Sequence, residues 1–381
     1  MFFHIGNTER DNFPYNHRSK DLVVSLDEGW SHTRDSDFND IWYKGYMDNG
    51  LLSDHAIDIS REEEPTRSGN FCVIKVFDQG AIVRTDKLRS FPIYLNNGLT
   101  NLEGNQEYPA DSLVKMFNDL TAIETKFDAI GEINQDPISF DDAVDQIDQI
   151  LRDKIRSFVT HQNLPIRVFL SGGIDTATLY SYVKTETENY QLVPYSHCDF
   201  DYFYLKNHAV LETLWGYRQI HHWKEPSILA SGAPGDEFTV RGPSTINLLL
   251  LHHGTSMLEL VADTKYNTSL HHTYFSKPKN LEFWRQQTVT GSYHDVVKRC
   301  CEINLNDYQH WHLGNTLTWT PFRDLEIFKI IARLGIDDLK TQIMDSSIQQ
   351  ALIKRNDPKI LNILSDQKNS ANYLANLTKI I

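Results

Sequence analysis

The sequence predicts an α/β protein: an antiparallel, sheet-rich N-terminal unit, then a parallel sheet with helices on its faces, then a mostly helical C-terminal part. Three observations predict it. Short β-branched and aromatic runs separated by polar turns fill the first hundred or so residues. From residue 139 onward, strand-like runs alternate with helical periodicity, the pattern of a parallel sheet. The last 150 or so residues carry helical spacing, as at 325–334 and 348–355.

The N-terminal strands are expected at 22–26 (LVVSL), 71–77 (FCVIKVF), 81–84 and 92–95, with Asn97-Gly98 as a turn signal. Residues 106 to about 138 give no decided pattern. Ser139 followed by Asp142 is a capping-box-like helix start, and Val144, Ile147, Leu151, Ile155 and Phe158 then mark one apolar stripe. His161-Gln162-Asn163 ends that helix, with Pro165 beyond it. A compact strand follows at 166–170, a helix at 176–184, and strands at 192–196, where Pro194 counts against a strand, and at 227–230. The division expected is 1–135 and 136–381.

Composition bounds the function. Forty per cent hydrophobic and 23% charged residues are ordinary for a globular chain, and a formal charge of −14 argues against a phosphate backbone as the main partner. The four cysteines, Cys72, Cys198, Cys300 and Cys301, form no C-x-x-C pair. The adjacent histidine pairs at 221–222, 252–253 and 271–272 do not share a face of regular structure, so they do not read as a metal site. The N-terminus lacks the pattern of a signal peptide, and the longest apolar run, 246–251, is far short of a membrane span. The expectation is a cytoplasmic protein.

The chemistry concentrates in two turns. Residues 168–180 read VFLSGGIDTATLY: a buried strand ends at Leu170 and a helix begins within a few residues. Ligands of open parallel sheets meet the carboxyl ends of strands. There, Gly172 and Gly173 let the backbone approach a ligand, the helix-opening amides favour anions, and Ser171 adds a hydroxyl. The turn reads as a phosphate cradle, with Asp175 meeting phosphate through Mg²⁺; a plain glycine bend is the alternative. Residues 231–238, SGAPGDEF, again put small residues and an acid, Asp236, after an apolar strand. The alternative there is an ordinary surface turn.

LSGGIDTAT resembles the S-G-G-x-D-S pyrophosphatase loop of the asparagine synthetase class that includes β-lactam synthetase, with Thr176 in place of serine. SGAPGDEF resembles the family's S-G-x-G-x-D-E-L segment, residues 320–324 (TPFRD) its R-x-P-F-x-D segment, and residues 349–369 the tail that carries its catalytic lysine, here Lys368. The resemblance spans about residues 139–370. More faintly, residues 69–78 and 85–94 (TDKLRSFPIY) resemble the end of a glutaminase-type Ntn domain. Phe2 stands where that domain carries its cysteine nucleophile, which implies a unit without glutaminase activity.

The resemblance implies an Ntn-like unit followed by a PP-loop, adenine nucleotide α-hydrolase-like unit that adenylates a carboxylate and passes the acyl group to an amine or ammonia. ATP would lie on Leu170, Ser171, Gly172, Gly173, Asp175, Thr176, Ser196 and Gly235; Mg²⁺ would lie on Asp175 and Asp236. Lys368 would offset charge near the α-phosphate. Ala233 stands where the family often has Glu or Tyr with a role in the amine step, which leaves Glu237 as a candidate base. The partners implied are small-molecule carboxylate and amine substrates, with a separate ammonia source among the amine options and a homodimer as the assembly. Two other classes stay open: a PP-loop ATPase that modifies a nucleotide or RNA, and a regulatory or binding homologue without turnover. Pyrophosphate release and the identity of the adenylated acceptor separate them.

Overall fold

Backbone pairing first divides the chain. In a computed structural model, which describes residues 3–61, 67–88, 93–100, 106–108, 112–126, 136–162, 164–170, 173–194, 225–232, 235–239 and 316–365, the N-terminal strands form two six-stranded antiparallel sheets. One runs β10 (Gln106–Tyr108), β8 (Ile93–Leu95), β9 (Leu99–Thr100), β1 (Phe3–Gly6), β3 (Leu22–Leu26), β2 (Tyr15–Ser19). The other runs β12 (Ala122–Lys126), β11 (Ser112–Phe117), β7 (Gly80–Thr85), β6 (Gly69–Phe77), β5 (Asp40–Met47), β4 (Ser31–Arg34). Phe3, Ile5, Leu22 and Val24 of the first sheet share a buried core with Cys72, Ile74, Val83 and Val114 of the second. The expected strands at 22–26, 71–77 and 81–84 fall within β3, β6 and β7. The segment that gave no decided pattern supplies β10, β11 and β12, which pair only with residues distant in sequence or with each other. A short helix, α1 (Leu52–Ile59), covers the second sheet through Leu52, Ala56 and Ile59.

Helix α2 (Phe140–His161) opens as its capping residues dictate: Asp142 N–H donates to Ser139 Oγ at 3.1 Å, and Ser139 Oγ donates to the Asp142 carboxylate at 2.6 Å. Its stripe of Val144, Ile147, Leu151, Ile155 and Phe158 is buried against the second core. That core surrounds a four-stranded, wholly parallel sheet in the order β14 (Tyr190–Pro194), β13 (Ile166–Leu170), β15 (Ser227–Ala230), β16 (Thr316–Trp319). Pro194 ends the edge strand β14, where a missing N–H is tolerated. The strand expected at 192–196 thus begins two residues earlier, and residues 195 and 196 lie outside the described residues. Around the sheet lie α3 (Ile174–Glu186), the single turn α4 (Gly235–Phe238), α5 (Leu325–Ile331), α6 (Ile336–Asp345), α7 (Ser347–Asn356) and α8 (Pro358–Ser365). The helix expected over 325–334 stops at Ile331, because Leu334 turns back to bridge Ile138. Among the described residues no helix is long and apolar enough to cross a membrane.

The two units share contacts that neither could make alone. Tyr46 of β5 enters the parallel-sheet core, edge-on to Phe158 at 5.3 Å, while Phe158 stacks on Trp319 at 4.0 Å. The Tyr46 hydroxyl accepts Thr320 N–H at 3.1 Å. Lys154 of α2 lies 3.1 Å from Asp48 and 3.0 Å from Asp324. Burial works against the Lys154 charge, yet Asp324 and Asp48 more than offset it and hold the ammonium above its ordinary pKa. Burial in turn pushes the Asp48 carboxyl up, against the opposing pull of Lys154. Arg323 and Asp86, 4% and 1% exposed, pair at 3.0 Å.

Replacing Lys154 with Met removes the cation that pairs with both Asp48 and Asp324 and leaves those buried carboxylates without it. Lys154→Met should therefore cost about 3–5 kcal/mol in denaturant unfolding; a loss under 1 kcal/mol would show that the pair of carboxylates does not depend on it. A second expectation concerns His4 in β1, which is 4% exposed. Burial first, and the Arg10 charge second, bring its pKa down from 6.5 to about 4. The unfolded chain binds the extra proton between those values, so the contribution of His4 is fully present above pH 6.5 and falls away as pH drops toward 4. It amounts to about 3 kcal/mol across that window. His4→Gln should flatten the pH dependence of stability between pH 4 and 6.5, measured by urea unfolding at stepped pH.

Candidate functional site

The order of the parallel sheet creates a crevice. From β13 the chain passes to β14 on one side, then returns to place β15 on the other side of β13. Connections leaving neighbouring strands in opposite directions open a gap at their carboxyl ends, which is where open parallel sheets take ligands. Residues 173–175 follow β13 at that edge, and residues 231–232 and 235–238 follow β15 beside them.

The turns press together because glycine stands at two positions. A side chain at Gly232 would put its Cβ 2.5 Å from Thr176 N and 2.7 Å from the Asp175 carbonyl carbon. One at Gly235 would put its Cβ 2.6 Å from Asp175 Cγ and 2.7 Å from Asp175 Cβ. Gly235 N–H donates to Gly232 O at 2.8 Å, closing the turn that brings both into contact. Thr239 N–H and Thr239 Oγ1 both donate to Gly235 O, at 2.9 and 2.6 Å, and fix the start of α4. Asp175 is thus seated between the first turn of α3 and the backbone of the β15 turn.

Helix α3 begins with no side-chain cap at Gly173, whose carbonyl accepts the first intrahelical bond from Ala177 N–H at 3.2 Å. The N-terminal end of a helix favours negative charge. Thr176 is buried, and its hydroxyl donates to Gly173 O at 2.9 Å, so it braces the turn from within. Helix α7 lies beside α3 in the same direction. Gln349 reaches Asp175, and farther along Asn356 Nδ2 donates to Ser181 Oγ at 3.3 Å while Lys184 pairs with Asp357. Both helices therefore present their N-terminal ends at the same end of the sheet.

Between them runs a buried amide relay. Gln349 Nε2 donates to Asp175 Oδ1 at 3.0 Å and to Thr239 Oγ1 at 2.5 Å. Gln342 Nε2 donates to Gln349 Oε1 at 2.9 Å and to Thr239 O at 2.8 Å, and Gln342 Oε1 accepts Ile348 N–H at 2.8 Å. Both glutamines are 0% exposed. Sequence reasoning passed over Gln342, Gln349 and Thr239. The available signal was a pair of glutamines among apolar helical positions, which become notable only once they are known to be buried.

Of the residues expected at the site, Leu170 ends β13, Gly173 opens α3, and Asp175, Thr176 and Gly235 meet as described. Asp236 and Glu237 belong to the helical turn α4. Ser171, Gly172, Ser196, Ala233 and Lys368 lie outside the described residues. Residues 320–324 follow the carboxyl end of β16; Thr320 and Arg323 bind Tyr46 and Asp86 of the antiparallel unit, and Asp324 pairs with Lys154 of α2, which also meets Asp48. Among the described residues no three or more His, Cys, Asp or Glu side chains gather to hold a metal ion. A Mg²⁺ ion shared with phosphate needs only one or two protein carboxylates. Asp175, a hard oxygen donor in a glycine-lined seat, fits that demand. Comparison with protein-family models and with curated proteins finds no match for the chain.

A methyl group at Gly232 would overlap a peptide unit rather than a movable side chain. Gly232→Ala should cost about 1–3 kcal/mol, read by thermal or denaturant unfolding. Gly335→Ala, whose Cβ would have its nearest neighbour at 4.0 Å, should cost less than about 1 kcal/mol. Equal losses in the two variants would contradict the close approach.

Proposed function

We propose that the chain is an ATP-dependent, AMP-forming carbon–nitrogen ligase of the asparagine synthetase type. In this reading it adenylates a substrate carboxylate, releases pyrophosphate and transfers the acyl group to an amine or to ammonia. The observation that carries the reading is the contact at the switch point, where the glycine turn after β15 closes on Asp175 and Thr176 at the start of α3. Two segments singled out for the same chemistry, far apart in sequence, meet beside one carboxylate at the edge where a nucleotide would enter.

In this reading the triphosphate lies over residues 171–175, its charge matched by backbone amides of the first turn of α3. A Mg²⁺ ion held by Asp175 and Asp236, when bound, neutralises phosphate charge and steadies the leaving pyrophosphate. A carboxylate oxygen of the substrate attacks the α-phosphorus; the acyl–oxygen–phosphorus link forms as the bond to the β-phosphate breaks. The amine nitrogen then attacks the carbonyl carbon, the bond to AMP breaks, and the nitrogen gives its proton to a base, for which Glu237 is the candidate. Lys368 offsets charge at the α-phosphate. Positioning supplies much of the acceleration, because both steps join groups that the site holds together.

The amine comes from outside the antiparallel unit. Phe2 occupies the place of a glutaminase nucleophile, and Cys72 is fully buried with a thiol that burial pushes well up, which keeps it protonated and unreactive. Free ammonia, ammonia from a separate glutaminase, or an amine on the substrate or on a second molecule would each serve. The antiparallel unit has a structural part in this scheme, since Tyr46 and Asp86 hold residues 320–324 at the end of β16 and Asp48 meets Lys154, which pairs with Asp324.

The test is pyrophosphate release from ATP across a panel of carboxylates, with and without amines and with glutamine as a separate arm. The expected result is release that depends on a carboxylate, with AMP as co-product, and no glutamate formed from glutamine. Asp175→Asn should lower the rate at least 100-fold, since the carboxylate acts on charge that develops in the transition state. Undiminished release by that variant would refute the role of Asp175. ADP as the product would refute adenylation.

A further inference from the structure

We propose that Gln349 is a positioning residue for Asp175: its amide fixes the carboxylate in the orientation in which that group meets the divalent ion of a bound nucleotide. This rests on the ligase reading of the site.

The relay has one direction. Gln342 Oε1 accepts Ile348 N–H, a backbone donor that cannot reverse, so the Gln342 nitrogen faces inward to Thr239 O and Gln349 Oε1. That contact consumes the Gln349 oxygen and leaves its nitrogen toward Asp175 and Thr239. The Thr239 hydroxyl spends its own proton on Gly235 O, so toward Gln349 it acts as an acceptor. Each member thereby determines the next, and the chain ends with a donor on Asp175 Oδ1. Gly235 confines the same carboxylate sterically, with no room for a Cβ between them.

A packing role alone does not account for this arrangement. Leu or Met at 342 and 349 would fill the volume without desolvating two primary amides. Polar groups buried this deeply, fully interlinked and ending on a candidate metal ligand, have the form of a shell that orients a ligand. Partners of that kind change metal affinity by about 10–100-fold when removed. The relay also links Asp175 to the start of α7 through Ile348, so seating of α7 and orientation of the carboxylate are one event.

The test measures metal binding directly in the full chain. Free Mn²⁺ is followed by electron paramagnetic resonance in the presence of α,β-methylene-ATP, beside a thermal melt of every variant. Gln349→Leu and the isosteric Gln349→Glu, which turns the donor into an acceptor, should each raise the Kd for Mn²⁺ in the nucleotide complex about 10–100-fold. Thr239→Val, the smallest change to the relay, should raise it less and in the same direction, and it carries the test if both Gln349 variants fail to fold. Gln350→Ala, exposed on the outer side of α7, should bind as the unchanged protein does. Folded Gln349 variants with unchanged Mn²⁺ affinity, beside an Asp175→Asn variant that has lost it, would overturn the positioning role and leave the ligase reading standing. Absence of any Mn²⁺–nucleotide complex with the unchanged protein would overturn both.

Discussion

Two turns more than fifty residues apart can touch only because Gly232 has no side chain. Its Cα lies against the peptide joining Asp175 to Thr176, at a separation that no Cβ could share. From this contact follows the rest of the site: β15 sits beside β13, Gly235 seats the Asp175 carboxylate, and α4 begins where Thr239 can reach Gln349. The contact costs little in the folded state, since the backbone at Gly232 needs no left-handed conformation; what it requires is space. A steric requirement of this kind is absolute in a way that one more hydrogen bond would not be.

The second constraint is ionic and lies beyond β16, the edge strand beside β15. Lys154 is held by carboxylates from both units, Asp48 from the antiparallel sheets and Asp324 from the segment after β16. With the Arg323–Asp86 pair and the Tyr46–Thr320 contact, it fixes residues 320–324 from two sides. Burying charges costs free energy, and an apolar interface of equal size could be as stable. What paired charges add is a unique alignment, because each must meet its partner to avoid the penalty of isolation. The antiparallel unit has a structural role on these contacts alone, because the end of β16 is built against it.

Much of this fold was legible from local patterns. The Ser139 cap, the α2 stripe, β13 and β15 are written in residues that are neighbours in sequence, and the structure places them accordingly. The strand β16 was not legible: Thr316–Trp319 is four residues long, and only pairing with β15 makes it a strand. The strand β11 is likewise fixed by its pairing with β7, and α5 ended early because Leu334 finds Ile138, nearly two hundred residues away. At the site, the carboxylate Asp175 could be anticipated from its turn, whereas its holder Gln349 could not, because a glutamine in a helix reads as solvated until burial is known. The TPFRD segment was read for its resemblance, and its role in joining the units came from partners at 46, 86 and 154 that no local pattern indicates.

The central claim is that the crevice between β13 and β15 receives a nucleotide's phosphates, with a divalent ion between them and Asp175. A crystal structure of the full chain with Mg²⁺ and a non-hydrolysable ATP analogue tests it most directly. The account predicts phosphate oxygens against the backbone of residues 171–175 and a Mg²⁺ ion about 2.1 Å from an Asp175 carboxylate oxygen. A nucleotide bound elsewhere on the chain, or a crevice filled by the protein's own side chains, would contradict it.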